Sequence, residues 1–264
     1  MSDLPPFGEL IYELDGHVCT ITLNRPHRKN ALSATLVNEL IVALETAAED
    51  SQVGAIILTG AQGVFCSGAD LGQMSGGAGE ESKVPWRGGF PELNLAFTQL
   101  GKPVIAKVRR YALAGGLGLV AACQFALAED SATFGTPEIR RGLFPMMIMA
   151  NIFRIVPRRR GLELILLGER ISAQEAMEMG LINRSVPAEE LDEATMELAR
   201  KLAAQSPQAM KLGLEAFYAQ SDMDFAEALP FLGGKLMECL STDDAREGLL
   251  SFMEKRAPSW PSRT

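Results

Sequence analysis

Residues 103–128 read PVIAKVRRYALAGGLGLVAACQFALA and contain two almost wholly apolar runs, 103–108 and 125–128. Strands that are buried on both faces of a sheet have this composition. Between the runs, the small residues 114–118 open an uncharged segment, which predicts a turn followed by a buried helix. The stretch therefore predicts a strand, a helix and a second strand, the unit of an α/β fold.

The same alternation extends toward the N-terminus. Residues 9–14 and 17–23 alternate apolar and polar side chains, and Asp15-Gly16 between them predicts an antiparallel pair joined by a tight turn. Residues 33–50 carry apolar side chains at helical spacing. Residues 54–60 are another apolar strand candidate. The α/β class thus covers the first two thirds of the chain.

The last third of the sequence is helical. Ser172 and Glu175 have capping-box spacing, and Ser206 before Pro207 indicates another helix start. Four helices are predicted after residue 188: 189–204, 207–219, 224–240 and 243–255. They carry more Leu, Met and Phe than a solitary helix could bury, so we expect them to pack on another part of the fold or on another subunit.

The segment 74–90, MSGGAGEESKVPWRGGF, is rich in glycine and serine and predicts a loop. Its place directly after a candidate active-site turn is compatible with a lid. A plain surface insertion explains the same composition.

Composition excludes several classes of protein. The chain of 264 residues is 47% hydrophobic, which excludes disorder, and its net charge of -8 gives no attraction to nucleic acid or to anionic membranes. The uncharged run 111–128 has the minimum length of a membrane span, but its glycines fit a turn and a buried helix better. We therefore expect neither a nucleic-acid nor a membrane partner.

The residue types also limit the chemistry. Two histidines and four scattered cysteines cannot form a zinc cluster, and no P-loop, dinucleotide turn or nucleophile elbow is present. Unpaired cysteines without an evident signal peptide predict a cytoplasmic location. An enzyme of this composition would work with carboxylates and backbone donors, without metal or bound cofactor.

Two turns of small residues are the candidate donors. Residues 67–70 (SGAD) end an apolar strand, and residues 114–118 (AGGLG) begin a helix, where the first amides have no intrahelical partner. Two such amides directed at one oxygen form an oxyanion hole, in which each donor contributes a factor of roughly 10²–10³ in rate.

Five segments of the chain resemble, in order, the crotonase superfamily of enoyl-CoA hydratases and isomerases. They are ITLNRPHRKNALS (21–33), VFCSGADL (64–71), VIAKVRRYALAGGLGLVAACQFALAEDSATFGTPEIRRGLFP (104–145), GERISAQEAMEMGLINRSV (168–186) and EGLLSFMEKRAP (247–258). The resemblance implies a spiral of ββα repeats over residues 1–195 and a helical trimerisation region over 196–264. It also implies acyl-CoA thioesters as substrates and a homotrimer, or a hexamer built as a dimer of trimers.

The resemblance assigns roles to individual residues. The amides of Ala69 and Gly115 would hold the thioester oxygen, and Glu138 would transfer a proton. Contacts to CoA and the acyl chain would come from Arg28, Lys29, Ala31, Ser67, Gly68, Asp70, Leu71, Gly116, Pro137, Met146, Phe252 and Lys255. The last two would reach the ligand of a neighbouring subunit. From the residues alone, Asp70 is better explained as the N-cap of a short helix.

The sequence departs from the family at three places. Hydratases of the family use two glutamates, and Gly118 stands at the position of the first, so that only Glu138 remains. A Met-rich run, residues 146–149, replaces a glycine-rich one, either as core or as an acyl contact. Arg109-Arg110 replaces the usual Asn-Gly, which leaves the local backbone geometry open.

The single carboxylate bears on the reaction. Hydration must activate a water and protonate carbon 2, whereas moving a double bond from the 3,4 to the 2,3 position needs one base. Residue chemistry therefore favours an enoyl-CoA isomerase. A hydratase that uses Glu138 alone and a weakly catalytic or non-catalytic acyl-CoA-binding protein stay open as alternatives.

Overall fold

The computed structural model describes residues 4–74 and 82–263, and these form an α/β fold as predicted. The strands are β1 Leu10–Asp15, β2 Val18–Leu23, β3 Ala55–Gly60, β4 Val104–Val108, β5 Tyr111–Leu113, β6 Phe125–Glu129, β7 Thr133–Gly135, β8 Arg170–Ser172 and β9 Arg184–Val186. The helices are α1 Ala34–Glu49, α2 Leu71–Met74, α3 Phe90–Gln99, α4 Gly115–Ala122, α5 Ile148–Ile155, α6 Arg158–Leu167, α7 Ala173–Glu178, α8 Leu191–Ala203, α9 Pro207–Gln220, α10 Phe225–Leu240 and α11 Asp243–Glu254.

The main sheet has six strands in the order β1-β2-β3-β4-β6-β9. The predicted pair β1 and β2 is antiparallel, with Asp15 opposite Val18, and Gly16 takes the left-handed conformation at the turn. Every other pair in this sheet is parallel. Helices cover the sheet, so that β3 and β4 are buried on both faces, as their apolar sequences predict.

A second sheet of three short strands, in the order β5-β7-β8, was not predicted. Each of its strands has three residues, too few for an alternating pattern to be recognised. β5 runs parallel to β7, with Leu113 opposite Gly135. The segments that follow these two strands, the turn at Gly115 and the segment containing Glu138, therefore leave the same end of one small sheet.

The uncharged run 111–128 is divided among β5, α4 and β6, as expected except for the strand at its start. Its helix is buried along residues 116–121. Over the described parts of the chain, no helix is long and apolar enough to cross a membrane.

The C-terminal helices differ in what they cover. α8 packs on the outer face of the main sheet through Leu191, Ala199 and Ala203, so the predicted boundary at residue 195 falls inside a helix that belongs to the sheet layer. α9, α10 and α11 pack on one another and leave many large apolar side chains exposed. The predicted capping box at Ser172 and the N-cap at Ser206 are both present.

The loop 74–90 is described only in part, because residues 75–81 lie outside the described residues. Its second half is attached to α1 by Asn38, which donates to the Pro85 carbonyl and accepts from the Arg87 amide. The loop ends at α3, where Phe90 packs against the core.

Candidate active site

The two predicted ligand-binding turns lie side by side. The Ser67 amide donates to the Lys29 carbonyl, and the Leu32 amide donates to the Gly68 carbonyl at 2.8 Å. Buried Asn30, in the left-handed conformation, anchors the first turn to the Ala61 and Val64 carbonyls. The described structure thus brings the predicted CoA-contact segments 28–31 and 67–71 together, with the side chains of Arg28 and Lys29 exposed.

A buried ionic network lies beneath these turns. Arg25 contacts Glu9 at 2.7 Å and Asp70 at 3.0 Å, and it also donates to the Ala31 carbonyl. The other oxygen of Asp70 accepts from the Gly72 and Gln73 amides, the predicted N-cap of α2. Burial alone would raise the pKa of Asp70, but Arg25 and these amides outweigh it and hold the pKa below its usual value.

Gly68 brings the two small-residue turns into contact. It has a φ of +100°, and a Cβ built on it would lie 2.6 Å from Ala114 Cβ and 3.0 Å from the Leu113 carbonyl. The amide nitrogen of Gly115 is 3.5 Å from the same point. The second turn is fixed in turn by the Ala114 amide, which donates to the Gly135 carbonyl of β7. Only glycine at position 68 allows the two turns to lie this close together.

The amides of Ala69 and Gly115 have no acceptor within the described protein. The neighbours of Ala69 bond to Leu32, so in this extended segment its own N–H points to the opposite side. Gly115 is the first residue of α4, where the N–H has no intrahelical acceptor. Ala69 is exposed and Gly115 partly exposed, so both donors are available to a ligand.

Glu138 lies on the short 3-10 turn Pro137–Arg141 that follows β7. Its Oε2 is buried and has no hydrogen-bond partner in the described structure. Burial raises the pKa of this carboxyl, although its own backbone amide and the Arg141 charge act in the opposite direction. A buried carboxylate oxygen without a partner, with a raised pKa, is suited to accept and return a proton.

The space beside Gly118 is filled by apolar side chains. A Cβ built on Gly118 would lie 2.3 Å from Ile148 Cγ2 and 3.7 Å from Phe90 Cζ. Phe90 also approaches Gly115, as does Leu32. The position at which the family resemblance predicts a first glutamate therefore has no room for a side chain while Ile148 keeps its place.

The other predicted residues are distributed around this site. Gly116 lies against Cys66, where a Cβ would be 2.7 Å from the cysteine Cβ, so its absence of a side chain serves packing. Leu71 and Met146 are exposed, and Pro137 begins the turn that carries Glu138. The Met-rich run is divided, because Met146 and Met147 face solvent whereas Ile148 and Met149 contact the core.

Phe252 and Lys255 lie on or directly after α11 and are exposed. α11 packs on α9, α10 and the C-terminal turn. Their contact with the ligand of a neighbouring subunit stays a prediction.

The substitution of Arg109-Arg110 for Asn-Gly is accommodated locally. Arg110 takes the left-handed conformation at φ 56°, and its amide donates to Glu129 at 2.9 Å. Arg109 forms ion pairs with Glu129 and Asp192. The backbone at Arg110 thus keeps a conformation that glycine would favour, and the hydrogen bond to Glu129 stabilises it.

Sequence reasoning missed Arg25, Phe90 and the pairing of Ile148 with Gly118. Arg25 is the first charged residue after the strand 17–23, and a charge at such a position was the available signal. Phe90 and Ile148 are far from Gly118 along the chain, and no local pattern indicates that contact.

Comparisons with known proteins identify the family of the chain. Residues 13–263 match the family described as enoyl-CoA hydratase/isomerase. A probable enoyl-CoA hydratase from Rhizobium meliloti is 36% identical over 259 residues, 97% of this chain and 99% of the relative. A probable mitochondrial enoyl-CoA hydratase from Dictyostelium discoideum is 34% identical, covering 95% of this chain and 90% of the relative.

Solved structures show the same likeness. The crystal structure of human enoyl coenzyme A hydratase domain-containing protein 3 has a TM-score of 0.87 at 32% identity, covering 96% of this chain and 100% of that one. An enoyl-CoA hydratase structure from Mycobacterium smegmatis has a TM-score of 0.86 at 34% identity, covering 96% and 99%. The chain belongs to the enoyl-CoA hydratase/isomerase family of enzymes and has the crotonase fold.

Proposed function

We propose that this protein is an enoyl-CoA isomerase that moves a double bond from the 3,4 to the 2,3 position of an acyl-CoA thioester. The observation that carries the proposal is the buried, unpartnered Oε2 of Glu138 in a site where Gly118 offers no second carboxylate. Because hydration divides its proton transfers between two groups, a site with one carboxylate suits isomerisation better.

The reaction follows from three groups. The amides of Ala69 and Gly115 donate to the thioester oxygen, and ionised Glu138 removes a proton from carbon 2. The electrons of the broken C–H bond form an enolate, whose charge the two amides stabilise. Glu138, now protonated, returns the proton to carbon 4, so that the thioester carbonyl is restored and the double bond forms between carbons 2 and 3. Glu138 ends in the state in which it began, and the steps use no metal or bound cofactor.

The ligand contacts extend from the same two turns. We propose that Arg28 and Lys29 attract the CoA phosphates, since both side chains are exposed on an otherwise acidic protein. Ala31, Ser67, Gly68 and Leu71 would line the path of the pantetheine. Asp70, occupied by Arg25 and α2, would support this path through the backbone.

A second candidate is a 2-enoyl-CoA hydratase that uses Glu138 alone. The names of the relatives favour it, since those from Rhizobium meliloti and Dictyostelium discoideum are both called probable enoyl-CoA hydratases. A protein that binds acyl-CoA with little or no turnover is the third candidate, and Gly118 is the observation that favours it.

We also propose a homotrimer, or a hexamer formed by two trimers, in the cytoplasm. The exposed apolar faces of α9, α10 and α11 support association. All four cysteines are unpaired, which is compatible with a reducing compartment.

The experiment supplies 3-enoyl-CoA and 2-enoyl-CoA substrates of several chain lengths to the wild type and to Glu138→Gln. We expect 3-enoyl-CoA to be converted to 2-enoyl-CoA faster than 2-enoyl-CoA is hydrated, and we expect Glu138→Gln to lower the rate at least ~10²-fold. Faster hydration would favour the hydratase. Binding without turnover would favour the third candidate, and unchanged turnover in Glu138→Gln would exclude that residue as the base.

A further inference from the structure

We propose that Ile148 is a specificity-determining residue, which excludes hydration by occupying the space beside Gly118. The inference rests on the proposed function, because it concerns which of two reactions the same site performs. It states that Gly118 and Ile148 act as a pair, so that restoring a carboxylate at position 118 requires removal of Ile148.

The contact between the two residues is closer than any side chain at position 118 could tolerate. A Cβ built on Gly118 would lie 2.3 Å from Ile148 Cγ2 and 2.9 Å from Ile148 Cβ, both below ordinary van der Waals contact. Ile148 is 4% exposed, and α5 packs directly on α4. A side chain at position 118 is thus excluded by a neighbouring side chain and not by its own helix.

Ile148 cannot turn away easily. It is the first residue of α5, where a β-branched side chain has one strongly preferred rotamer. The start of α5 is fixed by the Met149 amide, which donates to the Pro145 carbonyl. Because both the backbone and the rotamer are constrained, the side chain of Ile148 keeps its position against Gly118.

Phe90 provides a second apolar surface beside Gly118. Phe90 Cζ lies 3.7 Å from the Gly118 Cβ position, and Phe90 also lies 3.5 Å from the corresponding point on Gly115. A water held for attack on carbon 3 needs polar partners, and Ile148 and Phe90 offer none. In hydration, the oxygen of water bonds to carbon 3, a base takes the water proton, and a proton is delivered to carbon 2. Because Ile148 fills the space beside Gly118, it leaves room neither for this water nor for a second base.

The first test measures packing, independently of activity. Thermal unfolding is followed for Gly118→Ala, Ile148→Gly and the double variant, with Ile152→Ala as the control from the next turn of the same helix. Ile152 is also buried. We expect Gly118→Ala to lower the Tm by ~5 °C in the wild-type background and by much less with Ile148→Gly. In the Ile152→Ala background, Gly118→Ala should lower the Tm by as much as it does in the wild type. Equal losses in all three backgrounds would overturn the pairing.

The second test measures reaction specificity. Gly118→Glu, Ile148→Gly and Gly118→Glu/Ile148→Gly are each assayed with 2-enoyl-CoA for hydration and with 3-enoyl-CoA for isomerisation. We expect the ratio of hydration to isomerisation to rise at least ~10-fold in the double variant and not in Gly118→Glu alone. A merely structural role for Ile148 would change both rates together and leave the ratio constant.

The outcomes separate this proposal from the proposed function. A folded double variant without a higher ratio overturns it, as does a single Gly118→Glu variant that hydrates equally well. If the wild type does not isomerise, the proposed function fails, and hydration found only in the double variant still supports the role of Ile148. If the Glu variants do not fold, the Tm values of the Gly118→Ala variants test the pairing of Ile148 with Gly118. A Tm loss that Ile148→Gly does not reduce then overturns the proposal.

Discussion

Glu138 combines two properties that a purely structural carboxylate would not have. Its Oε2 is buried without a partner, and burial raises its pKa. Such a group destabilises the fold when it is ionised, since its charge is poorly compensated. A residue that costs stability in this way is a candidate for a role in an active site.

We predict opposite pH dependences for two Glu→Gln substitutions. Because the folded pKa of Glu138 is raised, its contribution to stability is fully present below the unfolded value of about 4.3 and is lost as the pH rises through the folded value. Glu138→Gln should therefore be more stable than the wild type at pH 7, and the difference should vanish below about pH 4. Urea unfolding between about pH 3 and pH 8 measures this difference.

Glu175 provides the control. Its pKa is lowered by the Ser172 amide and hydroxyl in the capping box of α7, so it stabilises the fold above the unfolded pKa and loses this effect as the pH falls. Glu175→Gln should thus be less stable at pH 7.

The acid limb of kcat/KM should also titrate above about 4.3 in the wild type if Glu138 is the base. A Glu138→Gln variant less stable than the wild type at pH 7 would contradict the assignment.

Arg25 connects the two turns that are predicted to bind the ligand, residues 28–31 and 67–71. It pairs with Glu9 and Asp70 in a buried setting and donates to the Ala31 carbonyl. Removing the guanidinium leaves two carboxylates buried without their partner, which is more costly than losing the ion pair itself.

We predict that Arg25→Met lowers the free energy of unfolding by about 3–5 kcal/mol at pH 7. The control is Arg87→Met, which removes the Arg87–Glu45 pair, whose side chains are about half exposed, and should cost less than about 1 kcal/mol. Urea titrations with tryptophan fluorescence give both values. Similar losses in the two variants would show that burial does not strengthen the Arg25 network.

At the scale of elements, the candidate donors depend on how closely β5 and α4 approach the turn before α2. That approach is set by Gly68, whose missing side chain admits Ala114 and the Leu113 carbonyl. The amides of Ala69 and Gly115 are therefore positioned by a contact between two loops that are far apart in sequence.

We predict that Gly68→Ala costs at least about 2 kcal/mol, because it combines a left-handed φ with overlap against Ala114. Separation of the turns should also reduce kcat by ~10²-fold. Gly16→Ala serves as control, because Gly16 also has a positive φ but has open space at its Cβ position. That variant should lose only about 1–2 kcal/mol and keep its kcat. Equal kcat values for the two variants would refute the role of this contact.

At the scale of the whole molecule, the C-terminal helices leave an apolar surface that one chain does not cover. α10 exposes Phe225, Leu229, Leu236 and Leu240 at helical spacing, with Phe225 80% exposed. A groove of about 510 Å³ between α9 and α10 is lined mostly by apolar side chains and lies apart from the proposed site. Surfaces of this kind are typical of subunit interfaces.

We predict that light scattering gives a mass of three or six chains, and that Leu229→Glu/Leu236→Glu reduces it, because buried charges would be unpaired at an apolar interface. The control is Leu14→Glu, which changes a side chain of similar exposure on edge strand β1. A monomeric wild type, or a mass that the α10 variant leaves unchanged, would exclude this face as the interface.

The sequence by itself determined the α/β class, the helices of the last third and the two turns of small residues. These features are local, since they depend on alternation, helical spacing, caps and glycine. The family resemblance then assigned roles to Ala69, Gly115 and Glu138, and it implied that Gly118 stands where hydratases of the family carry a first glutamate, so that one carboxylate remains.

Tertiary structure decided what surrounds those residues. The three-residue strands β5 and β7 are too short to leave a pattern, yet their pairing brings the Gly115 turn and the Glu138 segment to one end of a sheet. Likewise, Ile148 and Gly118 are thirty residues apart, and only the packing of α5 on α4 shows that one fills the space of the other. Long-range contacts of this kind depend on the shape of the whole core, which no local pattern encodes.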